Sequence, residues 1–289
     1  MGVASARAGR RTLVVEVAGE RRMSRLFRSA RVHPDRPTEL LPGLFGLSVD
    51  ADHATEEYLA GQLRLRPLVE LLVHSRAFHH FTSAAPGLAE LVTLGKIWAL
   101  AVELREDGRA PVWDRLIVDC PATGHGIALL ETAGNVEELA ASGPIRDQAG
   151  RINEVVTHPA ATGIAVVAQP EEMAVTEAVE AAATLRGHGL PVAAAVLNAV
   201  REGDLADADA RALRVAAENG DPAARAAAEA ALRRARRADA DRAHLERLGA
   251  GTGLPVICLP AVVRRRFDLA AVERLADAIP ANGGRPEAR

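Results

Sequence analysis

The sequence predicts an α/β protein, a parallel sheet whose strands alternate with helices, and three observations carry that expectation. Six short apolar runs recur along the chain, "RTLVVEV" (11–17), "LFGLSV" (44–49), "DRLIVDC" (114–120), "GIAVVAQ" (163–169), "VAAAVLN" (192–198) and "LPVICLP" (254–260). Continuous rather than alternating apolar strands are what a parallel sheet covered on both faces requires. The stretches between them are longer and rich in helix formers, above all residues 205–249, which are mostly Ala, Arg, Glu and Asp. Finally, "LIVDCPATGHG" (116–126) ends an apolar run in an acid and breaks at once into a turn. Ligands of open parallel sheets bind beyond the carboxyl ends of the strands, so function is expected there.

Taken in order, "MGVASARAG" (1–9) reads as the last turns of a helix with Gly9 at its C-cap, leading into the strand at 11. After the strand at 44–49, residues 52–109 form a helical insertion holding the densest aromatics, including "FHHFTSAAPGLAELVTLGKIWALA". His74, His79 and His80 lie in it without a carboxylate or further His at helical ligand spacing. They fit the polar side of an aromatic-rich helix better than a metal site. Beyond 205, a solvated helical hairpin is expected, with "RRARR" (233–237) on its wet side rather than as a phosphate or lipid patch. No repeat of fixed period is visible. The expectation is a single domain over 1–280 and a disordered tail over 281–289.

Composition narrows the function classes. A net charge of −3 and a pI near 6.3 give no basic field of the kind that marks most nucleic-acid binders. Cys120 and Cys258 sit far apart in strand-like runs, where buried free thiols are expected rather than a disulfide or a zinc site. No apolar stretch approaches the roughly 18 residues that span a bilayer, Glu16 interrupts "TLVVEVAG" as a signal sequence, and Ala6 stands where a myristoylation motif needs Ser or Thr. A cytoplasmic protein is the expectation. All but one of the 35 basic residues are arginine, the exception being Lys96.

At the end of the third run, Asp119 is placed as the acid that holds Mg²⁺ in nucleoside triphosphatases. By itself an acid there equally suits a helix cap. The whole octet "DCPATGHG" resembles the switch II signature Asp-Thr-Ala-Pro-Thr-Gly-His-Thr of the ArsA-type anion-transporting ATPases, a family that includes targeting factors for tail-anchored membrane proteins. "GRRTLVVEVAGERRMSRLF" (9–27) is similar to that family's second strand and switch I, "PTELLPGLFGLSVDADHATEEYL" (37–59) to the segment that follows, and "APGLAELVTLGKIWALA" (85–101) to the start of its client-facing helices. "VLN" ending at Asn198 resembles its adenine-reading asparagine, and "LPVICLPAV" (254–262) its last strand and adenine loop. The likeness is nearest to an actinobacterial branch whose switch I begins Val-Glu-Val.

The resemblance implies a P-loop NTPase-like sheet flanked by helices, ATP and Mg²⁺ as ligands, and nucleotide-gated pairing as a homodimer or with a paralogous ATPase. It gives Asp119 the Mg²⁺ role, through water, and makes Pro121, Thr123, Gly124 and His125 the loop that senses the γ-phosphate. It assigns Asn198 to adenine, with Leu259 and Pro260 packing on the base. In switch I, Glu16 falls on the first of the family's two acids and Ala18 on the second, the one that orients water. Glu16 and Glu20 are the remaining candidates for a catalytic acid. Phe78, Phe81, Leu88, Leu91, Leu94 and Trp98 either line a groove for an apolar client or membrane protein, as the targeting branch suggests, or form core.

A P-loop, Gly-x-x-x-x-Gly-Lys followed by Ser or Thr, wraps phosphate in backbone N–H groups and adds one ammonium. Lys96 cannot complete one, since Glu90 stands for the first Gly and Ile97 for the hydroxyl. In the family the helix ending near Gly9 begins at the P-loop. The first strand, the loop and about four helical turns would then lie upstream of Met1. The alternative is a pseudo-ATPase subunit that keeps switch II but lacks phosphate grip, which Ala18 favours. A third possibility is an unrelated enzyme using Cys120 as nucleophile and His125 as base, although no orienting acid accompanies them.

Overall fold

The computed structural model describes residues 1–17, 22–27, 32–33, 36–50, 54, 87–106, 108–201, 203 and 205–280. The chain divides into two compact units, one made of 1–162, 188–191 and 268–276, the other chiefly of 163–187 and 192–267.

The first unit is built on a four-stranded sheet in the order β2-β3-β1-β4, formed by β1 (Thr12–Val17), β2 (Thr38–Leu41), β3 (Leu44–Val49) and β4 (Arg115–Asp119). β1 is central and parallel to both β3 and β4, pairing Val15 with Leu47 and Val118. β2 runs antiparallel to β3 and was not foreseen. Its signal was the Pro42-Gly43 pair between two Leu-containing runs, where Gly43 adopts φ 76°, the left-handed region that a tight turn requires. The short helices α1 (Gly2–Arg7) and α2 (Arg22–Leu26) precede and follow β1. α1 has Ala8 rather than Gly9 as its C-cap, and Gly9 takes the left-handed φ of 77° one residue beyond.

Both faces of this sheet are covered, which explains why its strands read as continuous apolar runs. Leu13 and Val15 of β1 pack with Leu47, Val49 and Trp113 against Val92 of α3 (Leu88–Val102). The opposite face packs Val14 and Leu44 against Val3, Met23 and Leu40, and also against Val272 and Ala276 of the C-terminal helix, residues 269–277. The Arg11 guanidinium lies 4.6 Å from the Phe45 ring centre and 4.9 Å from that of Trp113, closing the lower end of the sheet with a cation–π pair. A third cluster joins Leu94 of α3 to Leu129 and Ala133 of α4 (Thr123–Leu139) and Ile152 of α5 (Pro144–Thr157). Leu91 and Trp98 pack against it, so these three candidates contribute to core; Phe78, Phe81 and the His74, His79 and His80 group lie outside the described residues, as does the side chain of Leu88.

The second unit has a three-stranded parallel sheet in the order β5-β6-β7, with β5 (Ile164–Ala168), β6 (Val192–Val200) and β7 (Val256–Pro260). α6 (Glu172–Gly187) follows β5, while α7 (Asp207–Asn219) and α8 (Pro222–Thr252) link β6 to β7. The final helix, Leu269–Asp277, is α9.

The Ala-rich segment forms the expected helical pair, and the tips of α8 are specified by sequence. Asp221 Oδ1 accepts the N–H groups of Ala223 and Ala224, Pro222 opens the helix, and Gly253 closes it at φ 63°. Small residues let α8 approach α6, since a Cβ on Gly251 would meet Val179 Cγ2 at 2.7 Å. Arg233, Arg234, Arg236 and Arg237 are exposed, as the solvated reading requires. The six anticipated strands are all present, but they form two separate sheets. β4 and β5 are each an outer strand with no strand partner on the other side among the described residues.

Candidate functional site

β4 delivers Asp119 to the carboxyl end of the first sheet, and the chain turns immediately into α4. Ala122 is the N-cap with extended backbone (φ −61°, ψ 154°), and no side chain caps the helix. The N–H groups of His125 and Gly126 turn back to the Ala122 carbonyl at 3.1 and 3.3 Å. Those of Thr123 and Gly124 open the helix, where the dipole favours an anion. Gly126 is required by crowding, because a Cβ there would meet the Pro121 carbonyl oxygen at 2.6 Å. Gly124 faces open space, with nothing within 4 Å of such a Cβ. Asp119, Gly124 and His125 are exposed and Pro121 is half-buried.

Next to Asp119 lies a residue that sequence reasoning only half found. Glu16 of β1 pairs in register with Asp119 on one side and Ser48 on the other. It is buried to 4% exposure. Its Oε1 accepts the Arg22 N–H at 2.9 Å, at the start of α2, and its Oε2 is buried without a hydrogen-bond partner. A charged residue inside "LVVEV" was the signal, but only pairing shows it beside Asp119. Ala18 and Glu20 lie outside the described residues.

Cys120 corrects an expectation. It lies just past the end of an outer strand and is exposed rather than buried, while Cys258 is partly buried; both are free. Desolvation around the sulfur, followed by the neighbouring Asp119 charge, pushes the Cys120 thiol up to about 11. That is opposite to the activation a nucleophilic cysteine needs, so the Cys120–His125 reading loses its support.

Asn198, Leu259 and Pro260 belong to the second unit. There Asn198 pairs with Leu259 across β6 and β7, and all three are half-buried. The register slips between Asn198 and Val200, and Ala199 adopts φ 64°. Val200 then pairs with Pro260, and its carbonyl accepts the Ala261 N–H at 2.8 Å. Such a bulge with a left-handed non-Gly residue re-aims side chains at a strand end and is not readable from sequence. The chain's one lysine, Lys96, is inside α3 and not in a loop.

Among the described residues, no group of three or more His, Cys, Asp or Glu is placed to hold a metal ion. The donor set at the end of β1 and β4 still suits Mg²⁺, which keeps several waters and uses one or two carboxylates. Nor is any described helix long and apolar enough to cross a membrane.

Helix-flanked parallel strands with an acid and an uncapped helix N-terminus at their carboxyl ends define an α/β protein of P-loop NTPase-like fold. No family model matches the chain. Over 198 residues it is 29% identical to "ATPase BagA" of Mycobacterium tuberculosis and to "Putative ATPase Mb3704" of Mycobacterium bovis, a match covering 67% of this chain and 57% of each relative. The chain therefore spans little more than half the length of the curated relatives it matches. Both relatives are named as ATPases.

Proposed function

We propose that residues 1–289 carry the Mg²⁺ and γ-phosphate half of an ATP site, in an ATPase of the ArsA-like anion-transporting or protein-targeting kind. Asp119 would hold Mg²⁺ through water. The turn of Pro121, Thr123, Gly124 and His125 would meet the γ-phosphate, with the N–H groups of Thr123 and Gly124 as its open backbone donors. Bound Mg²⁺ would supply neutralisation of phosphate charge. The observation that carries this reading is the placement of Asp119 directly before the uncapped N-terminus of α4.

The phosphate-gripping loop comes, in this proposal, from polypeptide outside residues 1–289. Two features support it: Lys96 is committed to a helix, and β4 has an open side able to pair with one more parallel strand. Pairing as a dimer, a cytoplasmic location and an apolar client belong to the same proposal. A second reading, a pseudo-ATPase that pairs with an intact paralogue, is favoured by Ala18 in place of the water-orienting acid.

Titrating Mg-ATP into residues 1–289, into the same chain extended by its in-frame upstream codons, and into a mixture with a paralogue tests both. The first reading expects hydrolysis only after extension. If about 25 upstream codons, enough for a P-loop and its helix, contain no Gly-Lys-Ser or Gly-Lys-Thr, the upstream source is wrong. Tight binding by residues 1–289 alone contradicts the pseudo-ATPase reading.

A further inference from the structure

We infer that residues 263–267, between β7 and α9, form a docking point for an anionic lipid surface, with Arg264, Arg265 and Arg266 meeting the headgroups and Val263 and Phe267 entering the apolar boundary beneath them. The inference stands apart from the nucleotide reading and needs neither ATP nor Mg²⁺.

The sequence here is "AVVRRRFDL" (261–269), three consecutive arginines between valine and phenylalanine. All five residues from 263 to 267 are exposed. Val263, at 95%, is the most exposed large apolar side chain among the described residues, and Phe267 stands at 56%. A lone exposed apolar side chain is ordinary. Two of them bracketing three guanidinium groups put apolar and cationic chemistry at one point, which is what a membrane boundary takes up. Arg265 and Arg266 have no ion-pair or hydrogen-bond partner among the described residues, so their charge is not neutralised within the chain. The adjacent acid, Asp268, turns to the start of α9, where its Oδ1 accepts the Ala271 N–H at 3.2 Å.

Both ends of the segment are held. Ala261 donates its N–H to the Val200 carbonyl at 2.8 Å, and α9 is fixed by the buried Ala271 and Ala276 and by the ion pair of Glu273 with Arg7 at 2.9 Å. A short run fixed at both ends loses less freedom on binding than a free tail does. Its size also selects the partner. A stable protein interface takes about 20–30 residues a side with matched surfaces. Five residues on an exposed turn offer no such face, whereas a headgroup layer requires none and favours each nearby arginine by about fivefold in partitioning. The chain as a whole carries −3, so attraction to an anionic surface has to be local. The arginines at 233–237 of α8 provide the contrast, since they have only Ala235 as an apolar companion and Arg233 pairs with Glu229.

Co-sedimentation of the full chain with vesicles, without nucleotide, tests the inference. Wild type is expected to bind vesicles of equal parts phosphatidylserine and phosphatidylcholine, to ignore phosphatidylcholine alone, and to be released as salt rises, because ions screen the attraction. Arg265→Gln combined with Arg266→Gln is expected to weaken binding roughly tenfold or more. Val263→Ser is expected to weaken it severalfold through the lost apolar contact. Arg236→Gln combined with Arg237→Gln removes the same charge from α8 and is expected to leave binding unchanged. All five positions are exposed, and an unchanged urea midpoint verifies that each variant folds. Failure to bind the mixed vesicles, or equal binding to phosphatidylcholine alone, overturns the inference. So does an equal loss in the α8 variant, which would reduce the effect to overall charge, and so does unchanged affinity in Val263→Ser, since a purely ionic contact has no use for the bracketing residues. Capture of soluble polyglutamate by the same arginines in place of vesicles would assign the segment to an acidic protein and overturn the lipid reading.

Discussion

Asp241, buried to 1% exposure on α8, accepts two hydrogen bonds from Arg201 at the end of β6, the backbone N–H at 2.7 Å and Nη1 at 3.1 Å. The pair ties the longest helix of the second unit to the strand end carrying Asn198. Asp241→Ala leaves the Arg201 N–H without its acceptor and is expected to destabilise the protein by about 2–3 kcal/mol, the range for hydrogen bonds to charged groups. Asp241→Asn keeps an acceptor oxygen and is expected to cost less. Urea denaturation measures both, and equal costs for the two variants would rule out the hydrogen-bond account.

The same strand end stores backbone strain. Ala199 at φ 64° lies in the left-handed region, which costs an L-residue about 1–2 kcal/mol. Glycine removes that cost but loses about 0.5–1 kcal/mol through the unfolded chain. Ala199→Gly is therefore expected to raise stability by about 0.5–1 kcal/mol, since relief of strain exceeds the added entropy loss. A lower urea midpoint for the variant would show that the strain is not real.

How far the sequence revealed these features depends on whether each is local. Strands β1, β3 and the middle of β6 were legible because burial on both faces makes them continuous apolar runs, and β4, β5 and β7 keep the same apolar composition although they are mostly half-buried. The caps of α8 at Asp221, Pro222 and Gly253 were equally local. The Asp119 turn was legible because its chemistry is contiguous. The burial of Glu16, the bulge at Ala199 and the Asp241–Arg201 tie all depend on pairing between distant residues, which composition and periodicity do not record. The exposure of Cys120 has the same origin, since an outer position in a sheet is a property of topology. Glycine positions divide similarly, and two of them yield a direct comparison.

Gly124 and Gly126 stand two residues apart in the first turn of α4 but answer to different constraints. At Gly126 an added methyl would strike the Pro121 carbonyl, a backbone atom that cannot rotate away. Gly126→Ala is expected to destabilise by about 1–3 kcal/mol, the usual cost of overpacking. Gly124→Ala meets open space and is expected to leave stability unchanged or slightly higher. If the turn receives phosphate, the same substitution weakens nucleotide binding by crowding the ligand. Thermal denaturation and nucleotide titration of the pair separate the two roles, and equal destabilisation by both would count against the geometry of the turn.

Cys120 offers a probe of Asp119 that needs no ligand. Its thiol is raised from an ordinary 9.0 to about 11, first by desolvation and then by the Asp119 charge. The Cys258 thiol is also raised by burial, so a Cys258→Ser background isolates the signal. The thiolate is the species that reacts, and its fraction grows about tenfold per pH unit below the pKa. Alkylation by iodoacetamide is expected to be slow near neutrality and to keep accelerating past pH 9.0 toward about 11, where an ordinary thiol would level off. Asp119→Asn removes the Coulombic contribution and is expected to lower the midpoint and speed the reaction at a fixed pH. The sign for stability follows from proton counting. Between pH 9.0 and about 11 the unfolded chain releases a proton that the folded one retains. Stability therefore falls as pH rises through that window and is undiminished below it. A rate profile levelling near 9.0 would contradict the desolvation of the sulfur, and one that Asp119→Asn does not move would contradict the Coulombic contribution of the carboxylate.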